Sequence, residues 1–387
     1  MTVQAASALA KKANAGDVGG VFTATVMSTR QELDEYADEW NELLAASAAD
    51  SIFLTWEWIS AWLDAVRPDA RLLVVVVRDE SGRLAALAPF YYTQMRLVHL
   101  LNYRCLRVIG DTNSGAEYPD VILRIGSERR AMELVVKALM EHRGSWDCVW
   151  MPNIAGWRGA LERLSGGFDG ALFHRHSRPV DFSSVKLPKT HDEYLGLFGR
   201  KRRAYIRRAT RNLQSNHRVK LRRCDSVDRL PEMLQTLFDL HRRHWRSVGQ
   251  DGSFVRRPLM RRFYERFAPE ALRRGWLRIQ ALEVDGVARA VQYGYVYRGA
   301  YHALQEGYDP SSFDGIGNVL RNLTVKACIE DGIQEYDFLG EYTDHKRLWR
   351  AERRVGYDLI IGRRSLKNSV LFARNVWPTG RFMSEIA

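Results

Sequence analysis

The chain has 387 residues, of which 46% are hydrophobic and 27% charged, a length that allows two or more domains, each with its own core. The 11 Trp, 16 Tyr and 15 Phe exclude a disordered or low-complexity protein. The four cysteines are too sparse and too far apart for a zinc knuckle or a disulfide scaffold, which favours reduced thiols. The N-terminus lacks a signal-peptide core, and no apolar strip approaches the roughly 20 residues of a membrane helix. We therefore expect a soluble cytoplasmic protein, with the oligomeric state left open.

The net charge of +12 is concentrated in one segment of the chain. Residues 195–223 contain eleven basic residues and no acidic one, so the rest of the protein carries 12 − 11 = +1. The eleven cations are Arg200, Lys201, Arg202, Arg203, Arg207, Arg208, Arg211, Arg218, Lys220, Arg222 and Arg223. A localised basic face of this kind indicates an anionic partner, although a purely solvated face is the alternative.

Hydrophobic periodicity and turn residues predict a series of strands and helices in the first half. In chain order they are a strand at Val21–Val26, a helix after a capping box at Ser28 and Gln31, a tryptophan-rich helix at Trp56–Trp62, a hairpin of Leu72–Val77 and Leu84–Tyr92, a short strand at Val121–Leu123, a helix at Glu128–Glu141 and a strand at Trp146–Trp150.

The second half repeats this order of elements. In chain order they are a strand at Asp181–Leu187, a long helix after a capping box at Thr190 and Glu193, a helix at Leu230–Trp245, a hairpin of Leu277–Val284 and Ala288–Tyr297, a strand at Tyr301–Tyr308, a helix at Ile316–Glu330 and a strand at Glu335–Leu339.

Short strings of sequence also repeat between the halves. Val136–Glu141 aligns with Val325–Glu330 at an offset of 189 residues, and Trp146-Asp147 aligns with Tyr336-Asp337 at an offset of 190. Chance similarity between amphipathic helices is the alternative. Because order and letters agree, we interpret the chain as a tandem duplication of one α/β unit.

The repeated unit resembles the GNAT acyltransferase fold, in which the splayed end of a sheet and the next helix N-terminus hold acyl-CoA. The second half is most similar to the acetyltransferase domain of CelD-like polysaccharide-biosynthesis proteins, relatives of the Fem-type transferases. The features that carry this resemblance are Arg200–Arg203, Tyr308-Asp309, Gly315–Leu320, Gly332, Tyr336–Phe338 and Gly340 through Trp349. The first half resembles the companion domain of that family around Phe53–Trp58 and Ala88-Pro89. The resemblance covers roughly residues 21 to 365.

This resemblance implies an α/β (α+β) fold of two tandem GNAT-like units, each with a mixed, largely antiparallel sheet flanked by helices. We expect a flexible N-terminus at 1–20, an N-terminal GNAT-like domain without cofactor at 21–180, a C-terminal acyltransferase domain at 181–365 and a tail at 366–387.

The candidate cofactor site lies at the start of the last long helix of the second half. A helix N-terminus offers backbone N–H donors and a positive potential to a pyrophosphate, and glycines allow close approach. We therefore assign acetyl-CoA or another acyl-CoA to Gly315, Gly317, Asn318 and Arg321. The matching place in the first half, Gly126–Arg130, has one glycine and a carboxylate at the helix start. Two glycines that merely shape a tight loop are the alternative.

Direct acyl transfer requires a proton acceptor and groups that stabilise the oxyanion and the leaving thiolate, but no covalent nucleophile. Asp337, Glu306 and Tyr342 are the candidate catalytic residues, since they fall near the presumed strand ends. Glu341, His345 and Lys346 are candidate substrate-binding residues in the loop that follows. For each acid a solvated turn residue is the alternative, and for Lys346 an exposed lysine.

The basic segment and the histidines complete the list of candidate residues. Arg203 and Arg207 are candidate ligands of an anionic acceptor, with nucleic acid or anionic lipid as the other possible partners. His241 and His244 are flanked by arginines and read as an exposed basic helix end, so no metal site is expected.

The function expected from these residues and the resemblance is acyl-CoA-dependent N-acylation of an amino sugar or another polysaccharide or envelope precursor. Transfer from aminoacyl-tRNA, as the Fem-type resemblance implies, and a non-catalytic nucleic-acid-binding or membrane-surface protein are the alternatives.

Overall fold

The computed structural model describes residues 21–97, 101–170, 172–373 and 383–386. The N-terminal segment 1–20 lies outside the described residues, as does part of the C-terminal tail. The described chain forms one large sheet flanked by helices on both faces, an α/β fold of mixed but mostly antiparallel strand pairing. This confirms the predicted fold class.

The strands and helices are numbered in chain order. The strands are β1 Thr23–Met27, β2 Leu72–Arg78, β3 Leu84–Leu97, β4 Leu101–Val108, β5 Ile122–Leu123, β6 Cys148–Ile154, β7 Phe173–Lys186, β8 Val219–Arg223, β9 Leu277–Val284, β10 Val287–Tyr297, β11 Ala300–Tyr308, β12 Glu335–Gly340, β13 Glu352–Arg363 and β14 Met383–Ile386. The helices are α1 Arg30–Asp34, α2 Ala37–Ala45, α3 Trp56–Ala65, α4 Glu128–Glu141, α5 Ala160–Gly167, α6 His191–Gly196, α7 Arg200–Asn216, α8 Leu230–Ser247, α9 Ser253–Arg256, α10 Pro258–Arg273, α11 Ile316–Glu330, α12 Asp344–Arg347 and α13 Leu366–Ala373.

The two halves of the sheet have equivalent strand orders when each is counted inward from its own edge. The full order is β1-β2-β3-β4-β6-β13-β7-β12-β11-β10-β9-β8, with β5 and β14 paired to β3 outside this path. In each half, four antiparallel strands are followed by one parallel pair, β4 with β6 and β11 with β12. The duplication that the sequence predicts is therefore visible as a pseudo-twofold sheet.

The two halves exchange strands at the centre of the sheet. β7 closes the first half in sequence, yet it pairs with β12 of the second half. β13 closes the second half and pairs with β6 of the first. The two long strands also pair with each other from Glu352↔Ser184 to Arg363↔Phe173. The predicted domain boundary at 180/181 falls inside β7, so main-chain hydrogen bonds join the halves.

Local sequence explains some of the helix starts. Thr29, rather than the predicted Ser28, caps α1, and its partner in the capping box is Glu32 instead of Gln31. Thr190 caps α6 as predicted and accepts a hydrogen bond from the backbone N–H of Glu193. The long helix predicted to follow is two helices, because the chain turns at residues 197–199 between Gly196 and Gly199.

The largest core cluster extends through both halves. The Trp58 ring of α3 lies 4.6 Å from the Phe263 ring and 4.9 Å from the Phe267 ring of α10, so a helix of each half packs against the other. A second cluster lies on the opposite face of the second half, around Trp349 and Tyr336, where α6, α7 and α11 pack. These two layers fix the position of the strand ends described next.

Candidate active site

The parallel strands β11 and β12 separate at the centre of the second half. They are paired only from Ala300↔Glu335 to His302↔Asp337, and beyond this point their backbones diverge. The register of β10 with β11 shifts by one residue between Ala303 and Gln305, which is a β-bulge at Leu304. The bulge and the divergence leave an opening in the sheet, and this is the splayed site that the GNAT resemblance implies.

A cavity of about 360 Å³ occupies this opening and reaches both faces of the sheet. Neighbouring residues of β11 identify the helices on the two faces of the sheet. Glu306 contacts Arg321 of α11 on one face, and Gly307 packs on His241 of α8 on the other. The cavity is lined by Glu306, Arg321, His345 and Lys346 among the predicted residues. Its other lining residues include Glu117, Arg257 and Gln292, which the sequence did not indicate.

Arg321 forms the centre of the charged cluster on the α11 side of the cavity. Its buried guanidinium pairs with the Glu306 carboxylate and lies 3.2 Å from Nδ1 of His345. Burial would raise the pKa of Glu306, but the Arg321 charge and hydrogen bond outweigh it and lower the pKa. Partial burial and the Arg321 charge also lower the pKa of His345. At neutral pH Glu306 is therefore ionised and His345 neutral, and because Nδ1 accepts from Arg321, Nε2 carries the His345 proton.

Lys346 holds the loop at the end of β12. Its ammonium donates to the carbonyls of Phe338 at 2.9 Å and Glu341 at 3.1 Å, and also to that of Gly340. The turn is unusual, because the flanking non-glycine residues Leu339 and Glu341 have positive φ angles of 61° and 68°. Burial lowers the pKa of Lys346. The lysine is thus committed to backbone carbonyls in a strained turn that borders the cavity.

Glu117 is the functional candidate that sequence reasoning missed. It lies in the loop after β4 of the first half, and a Cβ built on Gly340 would lie 3.0 Å from its Oε1. Its Oε2 is buried without a hydrogen-bond partner. Burial raises the pKa of Glu117 to about 8, the Asp337 carboxylate adds to the shift, and Lys346 opposes it. A carboxyl with a pKa in this range and a free oxygen at a cavity wall has the properties of a general base.

Asp337 lies on the other side of β12 from Arg321 and is 3% exposed. Its carboxylate accepts hydrogen bonds from the Tyr118 hydroxyl at 2.9 Å and from the backbone N–H of Leu339 at 2.8 Å, and it lies 3.3 Å from the His302 ring. Burial would raise the pKa of Asp337, but these partners lower it. Asp337 lines a separate cavity of about 360 Å³ between the halves. Its hydrogen bond from Tyr118 holds the residue that follows Glu117 in the chain.

A larger groove of about 1100 Å³ runs between the two halves. Gly115, Glu117, Arg257 and Gly340 line both this groove and the β11–β12 cavity, so the two spaces meet at Glu117. Tyr342 and Glu341 also line the groove. Its walls carry Arg–Asp pairs from β7 and β13, Arg353 with Asp181 at 2.7 Å and Arg178 with Asp358 at 2.7 Å. Such a groove offers many donors and acceptors to a polar ligand.

The N-terminus of α11 faces α7. Gly315 has φ 75°, a left-handed conformation that suits glycine, and a Cβ here would lie 2.8 Å from the Tyr205 hydroxyl. The Asn318 side chain accepts a hydrogen bond from Arg202 at 3.1 Å. The Nε of Arg202 is buried without a hydrogen-bond partner, and its guanidinium lies 5.3 Å from the Trp349 ring centroid. Gly315 and Asn318 therefore adjoin an inward-turned arginine that could accept an anion.

A small cavity of about 290 Å³ lies beside this helix start, between α7 and the loop that precedes α11. Tyr205, Arg208, Asn212 and Phe313 are among its lining residues. A Cβ at Gly317 would lie 3.4 Å from the Tyr308 ring, an ordinary contact distance.

Arg203 and Arg207 lie on α7 and line none of the cavities described above. Arg203 is half-buried, and exposed Arg207 pairs with Asp192 at 2.9 Å. The expectation that His241 belongs to an exposed helix end is wrong. His241 is buried, accepts a hydrogen bond from the Trp245 indole at 3.0 Å, and burial lowers its pKa to about 4. It is buried because Gly307 of β11 leaves room for the α8 backbone.

The corresponding opening of the first half is narrowed by Arg107 and Trp150, which also line the groove between the halves. β4 and β6 are paired only at Cys105↔Cys148 and Leu106↔Val149. Beyond them the Arg107 guanidinium lies 4.2 Å from the Trp150 ring centroid. At the start of α4, the Glu128 carboxylate already accepts from the backbone N–H of Gly126 at 2.7 Å.

Metal-binding clusters and membrane-spanning helices are both absent from the described part of the chain. No group of three or more His, Cys, Asp or Glu side chains in the described chain could hold a metal ion. Among its helices, none is both long and apolar enough to cross a membrane.

Residues 200–347 match the family model of an acetyltransferase (GNAT) domain. This segment contains α7, the splayed strands β11 and β12 and the cluster around Arg321. The comparison supports an acyltransferase domain in the second half of the chain. In a direct sequence comparison, no curated protein is significantly similar to this chain.

Solved structures share the fold over most of the chain. The crystal structure of FemX aligns with a TM-score of 0.60 at 12% identity, covering 86% of this chain and 96% of that chain. The C-terminal domain (DUF2156) of a candidate lysylphosphatidylglycerol synthetase from Agrobacterium fabrum aligns with a TM-score of 0.51 at 12% identity, covering 88% and 95%. A tandem GNAT protein from the clavulanic acid biosynthesis pathway aligns less closely, with a TM-score of 0.47 at 12% identity, covering 89% of this chain and 98% of that chain.

The structure brings together some of the predicted residues and separates others. The β11–β12 cavity unites the four predicted residues Glu306, Arg321, His345 and Lys346, and the adjoining groove receives Glu341 and Tyr342. The helix start with Gly315, Gly317 and Asn318 lies beside α7, and Asp337 faces a different cavity.

Proposed function

We propose that this protein transfers an acyl group from a CoA thioester, held in the β11–β12 cavity, to an amine of an acceptor in the groove between the halves. The observation that carries this proposal is the junction at Glu117, where the two spaces meet beside a carboxyl whose pKa is raised to about 8. The polar groove, whose arginines are balanced by acidic side chains, suits an amino sugar or another polysaccharide or envelope precursor with many hydrogen-bonding groups.

The chemistry assigns one role to each charged group. The acceptor nitrogen attacks the thioester carbonyl, its proton passes to the Glu117 carboxylate, and the carbon–sulfur bond breaks as the amide forms. The thiolate leaves in the positive potential of Arg321, which Glu306 holds in place, and later takes a proton from water. The Nε2–H of neutral His345 is a hydrogen-bond donor on the same side.

The nucleotide end of the donor has a matching environment. Its pyrophosphate would lie at the start of α11, beside Gly317 and Asn318 and in the positive potential of Arg202, and the small cavity lined by Tyr205 and Phe313 would take the nucleoside. These groups are the cationic and hydrogen-bonding partners that an acyl-CoA requires.

The test is CoA release from acetyl-CoA by the purified full-length protein, followed with a thiol reagent over a panel of amino sugars, their phosphates and nucleotide-linked forms. Acceptor-dependent release is the expected result. A thermal shift with acetyl-CoA accompanies it, since a ligand at 100 times its dissociation constant stabilises by about 2.7 kcal/mol. If acetyl-CoA is neither bound nor turned over with any of the amines, the proposal is contradicted.

A second candidate is transfer from aminoacyl-tRNA, in which the same groove and Glu117 would serve a different acyl donor. The cations of α7, which include several without an ion pair in the described chain, favour it as a place for RNA phosphates. Stabilisation by aminoacyl-tRNA but not by acetyl-CoA in the same assay would select this candidate.

A further inference from the structure

The outward side of α7, here called the basic face, consists of Arg200, Lys201, Arg203, Arg207, Arg208 and Arg211. The spacing of three and four residues from Arg200 to Arg211 aligns four of these cations along one side of the helix. Arg207 pairs with Asp192, but the other five have no ion pair among the described residues. The basic face is therefore a row of uncompensated positive charge.

The fold holds the basic face outward. Ile206, Thr210 and Leu213 bury the opposite side of α7 against the second half. Arg202 points inward to Trp349, so it does not belong to the face. At 1.5 Å per residue, the cations from Arg200 to Arg211 span about 17 Å along a straight helix. A rigid row of this length matches an extended anionic surface better than a single small ion.

Two exposed leucines lie at the N-terminal end of the basic face. Leu197, just before α7, is 44% exposed, and Leu348, just after α12, is 51% exposed. Their chain neighbours Phe198 and Trp349 contact each other through rings 6.2 Å apart, so both leucines belong to one corner of the molecule. Exposed Arg350 lies at the same corner. The patch thus combines cations with apolar side chains directed to solvent.

We propose that the basic face and these two leucines dock the protein onto an anionic lipid bilayer. Cations attract anionic headgroups, and leucines at the surface gain by entering the interface. RNA is the weaker match for the whole patch, because RNA phosphates would account for the cations but not for the two exposed leucines. His345 and Lys346 of the β11–β12 cavity belong to α12, which ends just before Leu348, so docking would bring the cavity mouth close to the lipid surface.

The test is co-sedimentation of the full-length protein with vesicles of 30% phosphatidylglycerol in phosphatidylcholine, compared with phosphatidylcholine alone, in 0.1 M salt. Each cation near an anionic surface strengthens binding about fivefold. The variant with Arg200→Ala, Lys201→Ala and Arg211→Ala should therefore partition about 100-fold more weakly. A matched control changes the exposed Arg243, Arg246 and Arg262 of α8 and α10, on the other face of the sheet, to Ala and should bind like the parent.

A second pair of changes tests the leucines. Leu197→Gln with Leu348→Gln should reduce the vesicle-bound fraction that survives 0.5 M salt, since apolar insertion is not screened. Absence of binding to the anionic vesicles would overturn the proposal, as would equal losses in the triple variant and its control. Binding of bulk tRNA with a log–log salt slope steeper than about −4, lost in the triple variant and without vesicle binding, would assign the face to RNA. Failure here leaves acyl transfer to a soluble acceptor unaffected, so the two proposals are tested separately.

Discussion

The replacement Glu117→Gln should lower activity and raise stability at the same time. If Glu117 accepts the acceptor proton, its loss should lower kcat/KM by about 10² to 10⁴-fold, the usual contribution of a general base. The pH profile sharpens this expectation. Since the pKa of Glu117 is raised to about 8, the carboxyl is protonated below that pH, and the parent should gain activity up to about pH 8. The Glu117→Gln variant should lack this rise of activity with pH.

The stability change follows from the same pKa. A carboxyl with an ordinary pKa of 4.5 when unfolded and about 8 when folded binds its proton more tightly in the native state. As pH rises from 4.5 to 8 the unfolded chain releases this proton and the folded chain does not, so the free energy of unfolding falls. At about 1.4 kcal/mol per pKa unit, and allowing for contact of the carboxyl with groove water, the loss is on the order of 3 kcal/mol. Glu117→Gln should remove this pH-dependent fall in the free energy of unfolding.

The assay compares the parent, Glu117→Gln and the control Glu80→Gln, which removes an exposed carboxylate that lines neither the groove nor the β11–β12 cavity. Thiol release is measured from pH 6 to 9 with one amine acceptor, and urea unfolding is measured at pH 5 and pH 8.5. The control should change neither result. A Glu117→Gln protein with full activity, or with a pH dependence of stability equal to that of the parent, would refute the role and the environment that we assign to Glu117.

Three further changes test the remaining parts of the site. Gly317→Glu should abolish stabilisation by acetyl-CoA, because a carboxylate would occupy the proposed phosphate position, whereas Gly144→Glu, at a site with open space, should not; equal effects in a thermal shift would contradict the donor site. Arg321→Met should lower the free energy of unfolding by about 3 kcal/mol by leaving the Glu306 carboxylate unpaired, and adding Glu306→Gln should restore part of it in urea titrations. Asp337→Asn should shift the rising limb of the pH–rate profile to lower pH, since the Asp337 charge helps to raise the pKa of Glu117; an unmoved limb would show that the two carboxyls are not coupled.

Elements with strong local signals could be predicted from the sequence. The helix Ile316–Glu330 and the helix Glu128–Glu141 have the predicted bounds, because apolar periodicity and flanking turns define both ends. The hairpins around Gly82 and Gly286 are also confirmed. The repeat was detectable because its best-matching elements, the helix and the following strand, are those with local patterns.

The long central strands could not be predicted in the same way. β13 begins with Glu352, Arg353 and Arg354, a polar start that gives no strand signal by itself. Its pairing with β6 and β7 joins residues 168 to 214 positions apart, and such partners are chosen by tertiary structure. The sequence predicts β7 as a strand only from Asp181 onward, because the residues from His174 to Val180 alternate half-buried and exposed positions and include histidines and arginines.

The same difference between local signals and long-range contacts decides which site residues could be predicted. Glu306 and Arg321 were identifiable because their strand and helix are adjacent in the chain and in space. Glu117 was missed because nothing in its loop distinguishes it from a solvated acid, and its environment is made by Gly340 and Asp337, more than 200 residues away. Arg202 was counted among the outward cations, but the Trp349 ring provides an inward contact that a charge count cannot show.

The exchange of β7 and β13 explains why an asymmetric site can arise from a duplicated unit. Each half contains one parallel pair that separates. In the first half Arg107 and Trp150 narrow the opening and form part of the groove wall, whereas in the second half the opening is a separate cavity lined by Glu306 and Arg321. Because each half contributes a central strand to the sheet of the other, main-chain hydrogen bonds join the halves, and the hydrogen bond from Tyr118 to Asp337 holds the loop that carries Glu117 beside β12. In the reaction that we propose, a base from one unit acts on a donor bound by the other, and neither half alone would contain both.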